Sequence, residues 1–484
     1  MEQDRDRWLL EATIADLQTM MNERRLTASE LVWYYLQRIA VLDRAGASIN
    51  SVLEINPDAP QIAAALDRER LQQGPRGPLH GIPVLLKDNI DTADKLHTSA
   101  GSRALANSYA AEDAGVAARL RQAGAVILGK ANMTEWANFM TVGMKNGYSS
   151  RGGQVQNPYG PGIFDVGGSS SGSAAAVASN FCAVAVGTET SGSILSPASS
   201  NSVVGIKPTV GLISRSGIIP ISHSQDTAGP IARTVTDAAV LLGALAGEDP
   251  ADHATLNHDR LLHQDYRQYL NPAALIGARI GISRSHYSRL DPGRMDLINR
   301  AIADLATAGA VIVDPVELPS AEEPADSKVL VYEFKPALNA YLGRLSPRVP
   351  VHNLRELISF NQMHAETMLK YGQTLLLESE ATSGSLTETE YVQSRLRDLR
   401  NSVDRGIDWV MREHRLDALL FPANFGCGIA ARAGYPSITV PAGYTAEGQP
   451  VGATFTARAF EEPRLIALGY AFEQATRHRR QPKM

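Results

Sequence analysis

The spacing of apolar positions divides the chain into three stretches. Over the first sixty or so residues it is helical. Thr27-Ala-Ser-Glu30 is a capping-box pattern, and Leu31, Tyr35, Ile39 and Leu42 follow it every three or four residues, which predicts a helix. Ala59 to Gln72 predicts a second helix, stopped by Gly74-Pro75 and Gly77-Pro78. Short apolar runs then alternate with helical patterns. Ile82 to Leu86 reads as a strand leading into Lys87, Val116 to Ala123 as a helix ended by Gly124, and Ala125 to Leu128 as a buried strand. Apolar run, helix and glycine in repetition mark a sheet covered by helices.

The second stretch, 143–229, is crowded with Gly, Ser and Thr and has few charges. A tether has this composition, but it does not carry core elements. Here Ala183 to Val186 and Val203 to Ile206 read as buried strands, and Ala174 to Ala178 as a helix of small residues. A Ser/Gly-rich segment laid between core elements points to a site.

In the third stretch the ordinary alternation returns. Helices are predicted over Thr236 to Ala246, Met295 to Ala308 and Pro463 to Arg477. Strands are predicted over Arg279 to Ile282, Ala310 to Val313, Ala418 to Phe421 and Ser437 to Val440, with a largely helical, charged stretch over about 320–415. No internal repeat is present. The pattern predicts an α/β fold with a mixed sheet.

Composition narrows the class of protein. The net charge of −5 lacks the basic excess of a nucleic-acid-binding chain. No run approaches the ~18 apolar residues of a membrane span, and the charged N-terminus is unlike a secretory signal. A cytoplasmic protein is the expectation. Two cysteines, Cys182 and Cys427, cannot build a disulfide framework or a zinc cluster, and are expected as reduced core thiols.

The chemistry concentrates in the Ser/Gly segment. Gly167-Gly-Ser169-Ser-Ser-Gly-Ser173 and Gly187-Thr-Glu-Thr190-Ser-Gly-Ser193-Ile sit where the backbone turns sharply beside predicted strands. At the second, free N–H groups would point at whatever lies over the Ser193 hydroxyl, as an oxyanion hole for acyl transfer requires. A serine nucleophile needs a base. His80, in a Gly-Pro-rich turn, is one candidate. Lys87, closing an apolar strand, is another, because a lysine in a dry pocket loses part of its preference for the charged form. Position alone also fits Lys87 as a surface lysine past a strand end. Ser170, Ser171 and Ser173 suit turn and helix-cap roles, and Asp226 a structural one, holding a nearby loop by hydrogen bonds.

The ordered set Gly81-Ile-Pro-Val-Leu-Leu-Lys87-Asp-Asn, Gly167-Gly-Ser169-Ser-Ser-Gly-Ser173-Ala-Ala and Gly187-Thr-Glu-Thr-Ser-Gly-Ser193-Ile resembles the amidase signature family. Val204-Gly-Ile-Lys-Pro-Thr209 and Ser224-Gln-Asp-Thr-Ala-Gly-Pro230 support the likeness, which runs from about residue 13 to 478. The stretch from Val204 to Pro230 is similar to that of bacterial peptide amidases and related stand-alone amidases. The resemblance implies one large α/β domain with a mixed, twisted sheet between helical layers. An N-terminal helical segment, 1–75, would pack on a core of 76–484 that contains the signature region, 143–229. It implies a Ser–cis-Ser–Lys triad in which Ser193 attacks the amide carbonyl. Ser169, joined to Gly168 by a cis peptide, would relay the proton, and Lys87 would receive it. Backbone N–H groups of Thr190, Ser191, Gly192 and Ser193 would hold the oxyanion. No metal or organic cofactor is implied. The expected partner is a small-molecule or peptide amide, with no nucleic acid or membrane, in a monomer or homodimer. Trp136 and Met140 are candidate substrate lining, with core packing as the alternative.

Three departures matter. Glu189, Ser191 and Leu195 stand where many members have Asp, Gly and Arg. In glutamine-using amidotransferase subunits that Arg helps bind the free carboxylate of glutamine, and Leu195 cannot form an ion pair. The alternatives to a stand-alone amidase are therefore a glutaminase subunit, which Leu195 disfavours, and a non-catalytic family member, which the intact Lys87, Ser169 and Ser193 disfavour. The segment between Pro422 and Ala433 is short beside that of the peptide amidases, which argues against a peptide-amide preference.

Overall fold

The computed structural model describes residues 8–256, 265–288, 290–320 and 326–484. Eleven strands form one sheet: β1 Val52–Ile55, β2 Pro83–Lys87, β3 Val126–Ala131, β4 Val184–Glu189, β5 Val204–Lys207, β6 Thr227–Ala232, β7 Arg279–Ile282, β8 Val311–Val313, β9 Ala418–Pro422, β10 Ser437–Tyr444 and β11 Pro450–Thr456. Their spatial order is β1-β3-β2-β4-β6-β5-β10-β11-β9-β7-β8. β2 runs parallel to both β3 and β4, and β7 parallel to both β8 and β9; every other neighbour is antiparallel. The sheet is mixed, as expected, and helices flank it in a single α/β domain.

The helices begin and end where short-range chemistry says they should. α1 Ile14–Asn22 and α2 Ala28–Arg38 each open with a reciprocal capping box, Thr13 with Asp16 and Thr27 with Glu30. α2 stops short of Leu42 and passes into a π-helical turn over Ile39–Arg44. α3 Ala59–Gln73, α4 Gly115–Gln122, α5 Ser171–Ala178, α6 Leu195–Ser200, α7 Val235–Leu245 and α8 Pro292–Thr307 cover the sheet. The sequence pattern missed β1, β6 and β11. β6, Thr227-Ala-Gly-Pro-Ile-Ala232, lacks both alternation and a continuous apolar run, and is defined by its pairing with β4 and β5. β1 pairs with β3, so the N-terminal segment contributes an edge strand to the common sheet as well as helices.

The apolar interior falls into two clusters. The larger one fills the sheet and its helices. The second joins Leu105, Trp136, Phe139 and Met140 to a helical cap made of α9 Lys328–Leu342, α10 Leu354–Met363, α11 Thr374–Glu380 and α12 Thr389–Leu399. α13 Cys427–Ala433 and α14 Glu462–Thr476 complete the fold, with α14 on β10. Among the described residues no helix is long and apolar enough to cross a membrane.

Candidate active site

Adjacent parallel strands bring the candidate residues together. β2 and β4 pair in register, Val84 with Val184 and Leu86 with Val186, so their C-terminal ends lie side by side. Lys87 ends the first and Glu189 the second. Open α/β sheets place their sites at the carboxyl ends of parallel strands. The crossover into β4 is α5, which starts at that same end, with Ser169 in the loop just before it.

Lys87 is fully buried, and its Nζ sits among oxygens. They are Ser169 Oγ at 2.8 Å, Thr188 Oγ1 at 2.9 Å and the Thr188 carbonyl at 3.1 Å. Asn89 Nδ2 also donates to Thr188 Oγ1, at 3.0 Å. Burial pushes the Lys87 pKa down to about 7, against the opposing pull of Glu189 and Asp226. A neutral amine there has two N–H groups for the two Thr188 oxygens and a lone pair for the Ser169 hydroxyl. Lys87 is thus a core residue and not a surface lysine.

The Gly168–Ser169 peptide is cis. Ser170 locks this loop onto its neighbours. Its N–H donates to the Ser193 carbonyl at 3.0 Å, and its hydroxyl bridges the Thr188 carbonyl and N–H. A Cβ at Gly187 would lie 2.9 Å from Ser170 Oγ, so glycine is what lets the loop rest on β4. Ser171 and Ser173 donate to the carbonyls of Gly167 and Val186. All three serines are structural, but by pinning the backbone; none caps α5.

Ser193 retains 8% exposure, and its hydroxyl has no hydrogen-bond partner among the described residues. The Ser169–Ser193 leg is not hydrogen-bonded. The preceding turn is organised by Glu189, whose carboxylate accepts from the N–H groups of Gly192 (2.7 Å), Ile194 (2.6 Å) and Leu195 (3.0 Å). This corrects one expectation. The Gly192 N–H is taken by Glu189, whereas the N–H groups of Thr190, Ser191 and Ser193 have no partner among the described residues. Gly192 serves the turn through its φ of +86°, a conformation that side chains resist.

Asp226 holds Thr190 in place. Its carboxylate accepts from Thr190 Oγ1 at 2.5 Å and from the N–H groups of Ile221 and Ser222, both at 2.8 Å, which agrees with a loop-holding role. Cys182 is a buried thiol, but Cys427 is partly exposed and rests on the turn bearing Ser193, accepting from Ser191 Oγ at 3.7 Å. Burial pushes the Cys427 thiol up to about 11, so it stays neutral. His80 is buried away from the serines, with Nε2 2.9 Å from the Leu66 carbonyl.

A cleft of about 320 Å³ runs alongside the site. Thr188 and Thr190 form one wall, Ile219 and Ile221 another, and Ala337 and Ala340 of the α9 region a third. It borders the Lys87, Ser169 and Ser193 group through Thr188, and none of those three residues lines it. Trp136 and Met140 are buried in the second apolar cluster instead of lining this cleft. The reason is local. Trp136, Ala137 and Asn138 are all left-handed, and in this turn Trp136 packs inward while Ala137 faces the cleft. The cleft's two arginines are both engaged, Arg215 with Asp252 at 2.5 Å and Arg344 with Asp91 at 2.8 Å. Among the described residues no group of three or more His, Cys, Asp or Glu is placed to hold a metal ion.

Sequence reasoning gave no role to Thr188 and Asn89, though both lie inside the quoted motifs, and recorded Glu189 only as a departure. Their roles depend on which backbone groups face them.

Comparison with known proteins gives the family. The family described as Amidase matches residues 30–428. A peptide amidase from Stenotrophomonas maltophilia is 48% identical, with a TM-score of 0.91 over 98% of this chain and 99% of that one. An amidase family protein from Bacillus anthracis is 41% identical, with a TM-score of 0.95 over 100% and 94%. A protein of Arabidopsis thaliana described as a probable amidase is 44% identical over 98% of this chain and 91% of its own length.

Proposed function

This chain belongs to the Amidase family and is an amidase, and from that premise we propose that it cleaves its substrate through an acyl-Ser193 intermediate. Ser193 Oγ attacks the amide carbonyl and its proton passes to Ser169 Oγ, whose own proton passes to Lys87 Nζ. The carbonyl oxygen takes the negative charge and is held by the N–H groups of Thr190, Ser191 and Ser193. Collapse breaks the C–N bond, and the proton returns from Lys87 through Ser169 to the departing nitrogen. Water, deprotonated by the same relay, then releases the carboxylic acid and restores Ser193. The observation that carries this reading is the 2.8 Å contact of a fully buried Lys87 Nζ with Ser169 Oγ. Asn89 and Thr188 orient the amine for it.

The substrate reading is a neutral amide, with peptide amides first, in spite of the short segment between Pro422 and Ala433. The 48% identity to a peptide amidase supports it. So does the cleft, where both arginines are committed to carboxylates and Leu195 is buried and uncharged. A glutaminase subunit needs a cation for the glutamine carboxylate, and both arginines of the cleft are already paired with carboxylates.

The test is ammonia or amine release from a panel of C-terminal peptide amides, fatty amides and aryl amides, with fluorophosphonate labelling in parallel. Wild-type protein should turn over at least one class and label at Ser193. Full activity in Ser193→Ala, or well-folded protein that neither labels nor turns over, would overturn the mechanism.

A further inference from the structure

We propose that Glu333, in the helical cap, is a positioning residue that keys the α9 wall of the cleft to the turn bearing Ser193; this rests on the reaction proposed above. Glu333 is fully buried within α9. One carboxylate oxygen accepts from Ser222 Oγ at 2.5 Å and from Ser224 N and Oγ at 3.2 and 2.9 Å. The other accepts from Tyr391 OH of α12 at 2.9 Å and lies 3.5 Å from His223 Nε2. Ser222 is also a residue whose N–H donates to Asp226, and Asp226 holds Thr190. A continuous chain therefore runs Thr190–Asp226–Ser222–Glu333–Tyr391, from the catalytic turn to the cap.

The helical phase shows what the chain controls. From Glu333, the cleft-lining Ala337, Ala340, Tyr341 and Arg344 lie four, seven, eight and eleven positions on, along one helix face and its continuation. Fixing the carboxylate fixes the rotation of that face. A carboxylate without hydrogen-bond partners would be costly to bury, so its full set of donors specifies one docking of α9 on the 221–224 loop. Leu, Phe and Tyr contacts in the second cluster hold the cap down but tolerate sliding; the hydrogen bonds do not. α9 touches none of the reacting groups, so its placement bears on substrates large enough to reach it.

The experiment compares steady-state kinetics on acetamide and on an N-acylated dipeptide amide in wild type, Glu333→Gln, Ser222→Ala and Tyr391→Phe. The expected result is a KM for the dipeptide amide raised about tenfold in Glu333→Gln, with kcat within about threefold and acetamide kinetics nearly unchanged. Ser222→Ala should show the same bias, and the Glu333→Gln/Ser222→Ala double variant should be no worse than the worse single one. If Glu333→Gln folds poorly, the ratio is read in Ser222→Ala and Tyr391→Phe, each of which removes one hydroxyl. A dipeptide-to-acetamide ratio of kcat/KM equal to wild type in the folded variants, with only Tm lowered, overturns the proposal and leaves Glu333 structural. Activity retained in Ser193→Ala counts instead against the nucleophile, so the two failures are distinguishable.

Discussion

At the scale of single residues the proposed reaction depends on keeping one amine neutral. Lys87 is protonated below its depressed pKa of about 7 and free base above it. Its base form is lost as pH falls through 7, so kcat/KM should rise through pH 7 and level off above it. A profile flat down to pH 4 would contradict a lysine base. Removing that base should cost about 10³-fold at pH 7 and less at alkaline pH, where hydroxide substitutes, measured as kcat/KM of Lys87→Ala. Of these features, Ser193 could be argued from its own sequence neighbourhood. Lys87 could not, because a lysine after an apolar strand is ordinarily exposed, and its burial depends on β4 and the Ser169 loop closing over it.

At the scale of elements the turn Thr190 to Ser193 is shaped by what it lacks. It is too short to satisfy its own N–H groups, and Glu189 at the end of β4 accepts three hydrogen bonds from it and from the start of α6. The N–H groups left over are those available to a substrate oxyanion. Glu189→Ala should lower kcat by about 10²-fold with little change in KM, since the oxyanion donors lose their alignment. Gly192→Ala should act in the same direction. It places a side chain at φ +86° with its Cβ 3.0 Å from Cys427 Sγ, and the kcat loss should exceed any loss in Tm. The Gly/Ser crowding along the chain made the chemistry of this turn visible, but the family resemblance implied for Gly192 a donor role that Glu189 takes from it. Which N–H is free depends on where a carboxylate three residues away can reach.

At the scale of the whole molecule, residues 87, 169 and 193 meet because β2 and β4 are parallel neighbours and α5 is the crossover between the serine loop and β4. The same assembly commits the cleft's arginines to Asp252 and Asp91. Glutamine should accordingly be turned over at least about 10²-fold less well than a neutral amide, with or without amidotransferase partner subunits, in an ammonia-release assay. Efficient glutaminase activity that requires such partners would reverse the assignment. The sequence by itself determined the fold class, most of the strands and helices, and the family resemblance that singles out Lys87, Ser169 and Ser193 as candidates. Apolar periodicity, capping residues and ordered motifs are local and survive reading along the chain. Only the tertiary structure decided that Lys87 is dry, that Gly192 is engaged, that Trp136 turns into the core and that Glu333 joins the cap to the turn bearing Ser193. Each of those depends on which groups from distant segments exclude water or supply a hydrogen bond, and burial of that kind does not exist until the sheet and the cap have closed together.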